Sequence, residues 1–223
     1  MGMSVEDGFI FIGPGRCGTT SVENTLRKLT DGRYRTFPDL FCEHAKRKTV
    51  AEYTAQFFCW GANHSAADDI LTIFGLDKKD WRLAGAARNP VHRIESLYSH
   101  TCRMLSLPTS QEHFEGWLQH TFLNTKSKLF RAHGGLRRHF EDQNSRILVD
   151  LVFSIEHAGM ALEYLIPGLP AQSYRVEHLN KSEGVRYIDR IGGALKAKLD
   201  ATIGEDIDFW QEIVESGGYK FYR

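Results

Sequence analysis

The stretch FIFIGPGRCGTTSVENTLRKL, residues 9–29, constrains the fold of this 223-residue chain more than any other. It begins with a short apolar run, which is typical of a strand that is buried on both faces. Three glycines follow, and apolar residues then recur at helical spacing from Val22 to Leu29. The stretch therefore predicts a strand, a glycine-rich turn and a helix, an arrangement whose backbone N–H groups can hold a phosphate group.

Strand and helix patterns alternate along the rest of the chain. Further strands are predicted at 81–87 and 146–154. Helical patterns, some with capping residues or an initial proline, are predicted at 64–75, 88–105, 110–123, 155–166, 184–199 and 204–215. This alternation favours an α/β fold with a central parallel sheet flanked by helices. Because no linker divides the sequence, residues 1–223 are predicted to form a single domain.

The charge balance excludes some classes of partner. Lys and Arg number 28, and Asp and Glu also number 28, so no overall field attracts the chain to nucleic acid or to a membrane surface. We therefore expect no nucleic-acid partner and no membrane partner, and the N-terminal residues resemble neither a signal peptide nor an anchor. The four cysteines lack zinc-site spacing and are expected to be reduced thiols of a cytoplasmic protein: Cys17, Cys42, Cys59 and Cys102.

The glycine-rich turn departs from the pattern of nucleotide triphosphatases. Gly13 and Gly18 have the Walker spacing, but Thr19 stands where those proteins carry lysine. The turn instead contains one cation, Arg16. This combination favours a loop that holds one 5′-phosphate while a cation lies over the leaving group. The residues expected to contact that phosphate are Gly15, Arg16, Cys17, Gly18, Thr19, Thr20 and Ser21.

A second phosphate-binding element is predicted in RNPVHRIESLYSH, residues 88–100. Arg88 lies at the end of a predicted strand, and Ser96 lies two turns into the following helix. A guanidinium offers a planar pair of donors to phosphate oxygens, and a serine adds a hydroxyl. Taken alone, Arg88 and Arg93 are more typical of solvated cations at a helix start.

Together, the two elements resemble those of the sulfotransferase superfamily, in particular its carbohydrate-type and bacterial members. The resemblance extends over roughly residues 8–210. It includes, besides GPGRCGTTS and RNPVHRIESLYS, four softer matches: NHSAADDILTIFGLDKKDWRLAGAARNP, RILVDLVFSIEH, VEHLNKSEG and IGEDIDFW. It implies a P-loop-like fold and a co-substrate with two separate phosphate groups, 3′-phosphoadenosine 5′-phosphosulfate (PAPS), which leaves as the bisphosphate PAP. Many members of that superfamily carry Lys where this chain has Arg16.

The resemblance and the residues together suggest catalytic roles. Arg16 would meet the charge that develops on the leaving oxygen. His64 is our preferred general base, since a histidine titrates near neutrality, and Glu43 is a competing candidate, together with the adjacent His44. Lys181 is a further candidate phosphate contact. No metal ligand cluster is recognised, and sulfonate transfer requires no metal in principle.

The expected activity is that of an enzyme, a sulfotransferase acting on a hydroxyl (or amine) of a carbohydrate or small molecule. Two basic stretches, 46–48 and 126–138, could attract a polyanionic acceptor, although such runs are commonly solvated surfaces. One alternative is a small-molecule kinase on a similar fold, which the missing lysine at position 19 disfavours. The other is a nucleotide-binding module without turnover. The sequence leaves the acceptor and the oligomeric state open.

Overall fold

A computed structural model describes residues 1–40, 66–127, 130, 134–169 and 186–222 of the protein. Within these ranges the strands form one six-stranded sheet, against which helices pack. The strands are β1 (Gly2–Ser4), β2 (Phe9–Ile12), β3 (Arg35–Thr36), β4 (Arg82–Ala87), β5 (Leu151–Ser154) and β6 (Tyr219–Phe221). The α-helices are α1 (Thr19–Leu29), α2 (Ala67–Phe74), α3 (Pro90–Leu105), α4 (Gln111–Trp117), α5 (Ala158–Leu165) and α6 (Gly193–Glu215).

The sheet is mixed, whereas the sequence predicted a central parallel sheet. Its strand order is β3-β1-β2-β4-β5-β6. The three strands predicted from sequence, β2, β4 and β5, are its parallel centre, with Ile10 opposite Leu83 and Ala84 opposite Leu151. Strands β1, β3 and β6 pair antiparallel outside them. The turn that joins β1 to β2 is short and passes through Gly8 with φ 64°, so these two strands can pair only as a hairpin.

The central strands are buried on both faces. Phe9, Ile10, Phe11 and Ile12 of β2 have no exposed surface. Successive strand residues point to opposite faces, so both faces of the sheet must be covered. Helix α5 packs against β4 and β5, and α6 packs against β5, β6 and α3. This agrees with the expected α/β arrangement of a sheet flanked by helices.

Local sequence signals account for the start of α3 and the end of α2. Pro90 occupies the first turn of α3 as predicted, and the Asn89 side chain accepts hydrogen bonds from the N–H groups of Val91 and His92 at 2.9 and 3.3 Å. Gly75 ends α2 in the left-handed conformation, also as predicted. At the start of α2 the N-cap is Ala66, whose N–H donates to the Asp69 side chain at 3.1 Å.

The last two predicted helices are one continuous helix in the structure. Residues 184–199 and 204–215 were expected to form two helices, but α6 runs without a break over Gly193–Glu215. Gly204 lies inside α6 and does not end the helix. Nothing lies within 4 Å of a Cβ added to this glycine. Residues 184 and 185 lie outside the described residues, and Ile188–Arg190 form a short 3₁₀ turn.

No helix within the described ranges combines the length and the apolar character needed to cross a bilayer. Cys17 and Cys102 are buried free thiols. The other two cysteines lie outside the described residues.

Candidate functional site

The candidate site lies at the carboxyl ends of the three parallel strands. The glycine-rich loop 13–18 follows β2, Arg88 follows β4, and Ile155 follows β5. Ile155 also supports the loop, because a Cβ added to Gly18 would lie 2.7 Å from its side chain. Ligands of open α/β sheets commonly bind at this edge, where loops from neighbouring strands meet.

The loop turns tightly, and its glycines are needed for that turn. Gly18 has φ 76°, and Arg16 also takes a positive φ, 71°. A Cβ on Gly13 would lie 2.4 Å from Cγ2 of Thr19. The Thr19 hydroxyl donates to the Pro14 carbonyl at 3.1 Å, and the Cys17 N–H donates to the same carbonyl at 3.2 Å. These contacts fix the loop as a compact turn that leads directly into α1.

The N-terminus of α1 has the features of an anion site. Gly18 is its N-cap, no side chain of the described residues caps it, and its first turn carries no acidic residue. The first N–H groups of a helix have no partner within the helix, and the helix dipole places partial positive charge there. Thr20 is exposed at this end. An anion could therefore replace the missing cap.

The two phosphate-binding elements predicted from sequence contact each other. The Arg16 Nε donates a hydrogen bond to the Ser96 Oγ at 3.1 Å. The Arg88 Nη1 donates to the Arg16 carbonyl at 3.1 Å. The structure thus brings together the loop after β2 and the start of α3, which lie about 80 residues apart in the sequence.

Arg93 also contacts the loop, which the sequence did not indicate. Its Nε donates to the Gly15 carbonyl at 3.0 Å, and the residue is only 4% exposed. In the described part of the chain, its Nη2 is buried without a hydrogen-bond partner. A buried guanidinium with an unsatisfied donor is costly unless something accepts from it. One feature of the sequence could have indicated this contact: Arg93 lies one helical turn before Ser96, so the two residues share a face of α3.

The site is rich in positive charge. Burial lowers the pKa of Arg16, and the nearby charges of Arg103 and Arg88 lower it further. Burial likewise lowers the pKa of His100, together with the charges of Arg16 and Arg103. Within the described ranges, no carboxylate forms an ion pair with these arginines or with Arg93. The site therefore favours an anionic ligand.

The Cys17 thiol is not an activated nucleophile. Its side chain is fully buried, and burial raises the pKa of the thiol although Arg93 and Arg88 act in the opposite direction. A thiol with a raised pKa stays protonated at neutral pH, whereas the thiolate is the reactive form. Any contact of Cys17 with a phosphate would therefore come from its backbone in the loop and not from its thiol.

Several of the predicted site residues lie outside the part of the chain that the structure describes. His64, Glu43 and Lys181 lie outside the described residues, and so does the basic stretch 46–48. The general base and the C-terminal phosphate contact remain predictions. Among the residues that the structure describes, no group of three or more His, Cys, Asp or Glu side chains could hold a metal ion.

Comparison of the chain with protein-family models found no match, and comparisons with curated proteins and with solved structures found none either. The chemistry of the loop and of α3 is therefore the basis on which a function can be assigned.

Proposed function

We propose that the protein is a sulfotransferase that moves a sulfonate group from PAPS to a hydroxyl (or amine) of a carbohydrate or small molecule. One observation carries this proposal: the loop element and the Arg88–Ser96 element touch through Arg16. A single nucleotide with phosphates at two positions could therefore contact both. The P-loop-like sulfotransferase fold is part of the same proposal, and the parallel centre of the sheet is compatible with it.

The charge of the site supports a nucleotide with two separate phosphate groups. Arg16, Arg88 and Arg93 converge on one loop without a carboxylate partner among the described residues. The 5′-phosphate would bind at the loop amides and the N-terminus of α1. The 3′-phosphate would bind Arg88, whose guanidinium presents several donors in one plane, and Ser96.

Thr19 disfavours the kinase alternative. A triphosphate-binding loop uses the lysine at this position to reach the β- and γ-phosphates. Here the side chain of Thr19 is instead bonded to the loop itself, at the Pro14 carbonyl. The cation of the loop is Arg16, and it is directed to Ser96 on the second element rather than along a phosphate chain.

The proposed reaction balances without a further reagent. The acceptor oxygen forms a bond to sulfur, the bond between sulfur and the 5′-phosphate oxygen breaks, and PAP leaves with the bonding electrons. The acceptor proton passes to a base, for which His64 and Glu43 are the candidates. Arg16 stays charged and would stabilise the leaving oxygen electrostatically, since arginine does not readily release a proton.

Ligand-induced stabilisation tests the proposal. At about 100 times its dissociation constant, PAP should stabilise the protein by about 2.7 kcal/mol, equivalent to roughly 5–10 °C in melting temperature. ATP and AMP should stabilise it less. Arg88→Met should lose most of this shift. Arg146→Met is the matched control, because Arg146 is exposed and precedes β5, at the opposite edge of the sheet.

Turnover is then measured with sulfur-labelled PAPS and a panel of acceptors, read by mass spectrometry. A larger shift with ATP, together with transfer of its γ-phosphate, would establish the kinase instead. A shift with PAP but no labelled product from any acceptor would indicate a binding module without turnover.

A further inference from the structure

A further group of polar and cationic residues lies on α3 beyond the two phosphate-binding elements. Ser96, His100 and Arg103 are spaced four and then three residues apart, so they share one face of the helix. Ser96 accepts the hydrogen bond from Arg16 at 3.1 Å, which turns this face toward the loop. His100 is half-buried and Arg103 is exposed.

The charge of Arg103 acts on both Arg16 and His100. After burial, the strongest influence that lowers the pKa of Arg16 is the charge of Arg103, ahead of that of Arg88. Arg16 and Arg103 together lower the pKa of His100. Since no described carboxylate pairs with Arg16 or Arg103, the repulsion between these groups is uncompensated within the described ranges.

Arg103 is separate from the Arg88 element. The helix rises about 20 Å between its first residue, Pro90, and Arg103. Arg16 contacts α3 at Ser96, which lies between Arg88, before the helix, and Arg103, in its last turn. A nucleotide held by the loop and by Arg88 would leave His100 and Arg103 available for another anion.

Apolar side chains are also exposed at the end of α3. Met104, next to Arg103 in the sequence, is 64% exposed. Leu105 and Leu107 are 63% and 40% exposed, but successive helix residues point about 100° apart, so these side chains do not form one surface with Arg103.

We infer that His100 and Arg103 bind an acidic group of the acceptor, a carboxylate or a sulfate ester, next to the sulfonate-transfer position at Arg16. This inference rests on the proposed function and narrows its acceptor class. The acceptor is therefore an acidic molecule. Arg103 supplies the charged donors and His100 supplies a ring N–H.

Binding of three 4-nitrophenyl probes to the PAP-saturated protein tests this inference: the glucuronide, the sulfate and the neutral glucoside. The two anionic probes should bind at least about tenfold more tightly than the glucoside, as expected for one or two charge-assisted hydrogen bonds. Arg103→Gln should weaken only the anionic probes, by about tenfold. His100→Asn should weaken them less.

The control is Arg146→Gln, which removes the same charge from an exposed residue at the far edge of the sheet and should change no probe affinity. Equal affinities for anionic and neutral probes would overturn the inference, as would equal effects of Arg103→Gln and Arg146→Gln. If PAP fails to stabilise the wild-type protein, the proposed function fails and this acceptor site fails with it. If PAP binds but the probes ignore Arg103, the acceptor site alone is wrong.

Discussion

At the scale of single residues, Arg93 shows how a charge can be built into the support of a loop. Its guanidinium lies under the loop, holds the Gly15 carbonyl and keeps one donor unsatisfied in the described part of the chain. Burying such a group without a full set of partners costs free energy in the unliganded protein. A bound anion would offset that cost. Arg93 therefore links the stability of the loop to its occupancy.

Arg93→Met should change the melting temperature of the unliganded protein little, because losing the desolvation cost of the buried charge offsets losing the hydrogen bond to the Gly15 carbonyl. It should weaken PAP binding by at least about tenfold, because the loop loses a charge and a carbonyl contact. Calorimetric titration with PAP and a thermal melt measure the two effects.

Arg93→Lys separates charge from geometry. It retains the charge but lacks the planar fork, so it should recover only part of the PAP affinity. A large loss of stability in Arg93→Met with unchanged PAP affinity would show that the residue serves packing alone.

Sequence reasoning identified some of these residues and missed others for a physical reason. The loop and the Arg88–Ser96 pair carry local signals, because glycine and hydroxyl residues mark a strand-to-helix turn. The burial of Arg93 has no local signal, since it depends on where α3 packs against a loop far away in sequence. The proposed acceptor contacts His100 and Arg103 were missed for the same reason. They lie one and two turns beyond Ser96, and only the fold shows that Ser96 contacts Arg16.

At the scale of elements, the chain tolerates glycine where space is open and depends on it where the backbone turns. Gly204 lies in the middle of α6 with nothing within 4 Å of an added Cβ. Gly18 has φ 76° and faces Ile155. The same residue type is therefore dispensable at one position and required at the other.

Two substitutions test this contrast. Gly204→Ala should stabilise the protein by about 0.5–1 kcal/mol, the usual gain for replacing glycine inside a helix. Gly18→Ala should destabilise it by about 1–3 kcal/mol, because it adds a clash to an unfavourable backbone conformation. Urea unfolding of both variants measures these changes. Stabilisation by Gly18→Ala would mean that the loop differs from the one described.

The elements that were predicted share one property. Strands β2, β4 and β5 are runs of apolar residues, and α1 and α3 have helical periodicity and recognisable ends. Strands β1, β3 and β6 contain only three, two and three residues, too few for a period to emerge. Their pairing is decided by the sheet to which they add, so only the fold reveals them.

At the scale of the whole molecule, a net charge of zero conceals an uneven distribution of charge. Basic and acidic residues are equal in number, yet arginines gather at the carboxyl ends of the parallel strands without described ion-pair partners. The attraction of an anion to this edge of the sheet would therefore be local. Because the net charge is zero, no long-range field attracts anions to the molecule as a whole. Salt screens the attraction of these arginines beyond roughly one Debye length.

Salt should consequently weaken nucleotide binding. Between 0.05 and 0.5 M NaCl, we expect the dissociation constant of PAP to rise by about tenfold or more, because screening acts on several exposed or half-exposed cations. AMP, which lacks the 3′-phosphate, should show a smaller rise. Titration calorimetry across this range measures both slopes. Equal slopes for the two nucleotides would show that Arg88 does not engage a second phosphate.

The positive φ of Arg16 affects which amino acid is favoured at this position of the loop. A residue with a side chain gives up about 1 kcal/mol or more in that conformation, whereas glycine gives up little. Glycine, however, could carry no guanidinium to Ser96. Greater stability and a cation in the loop therefore favour different amino acids at this position, and this chain has the cation.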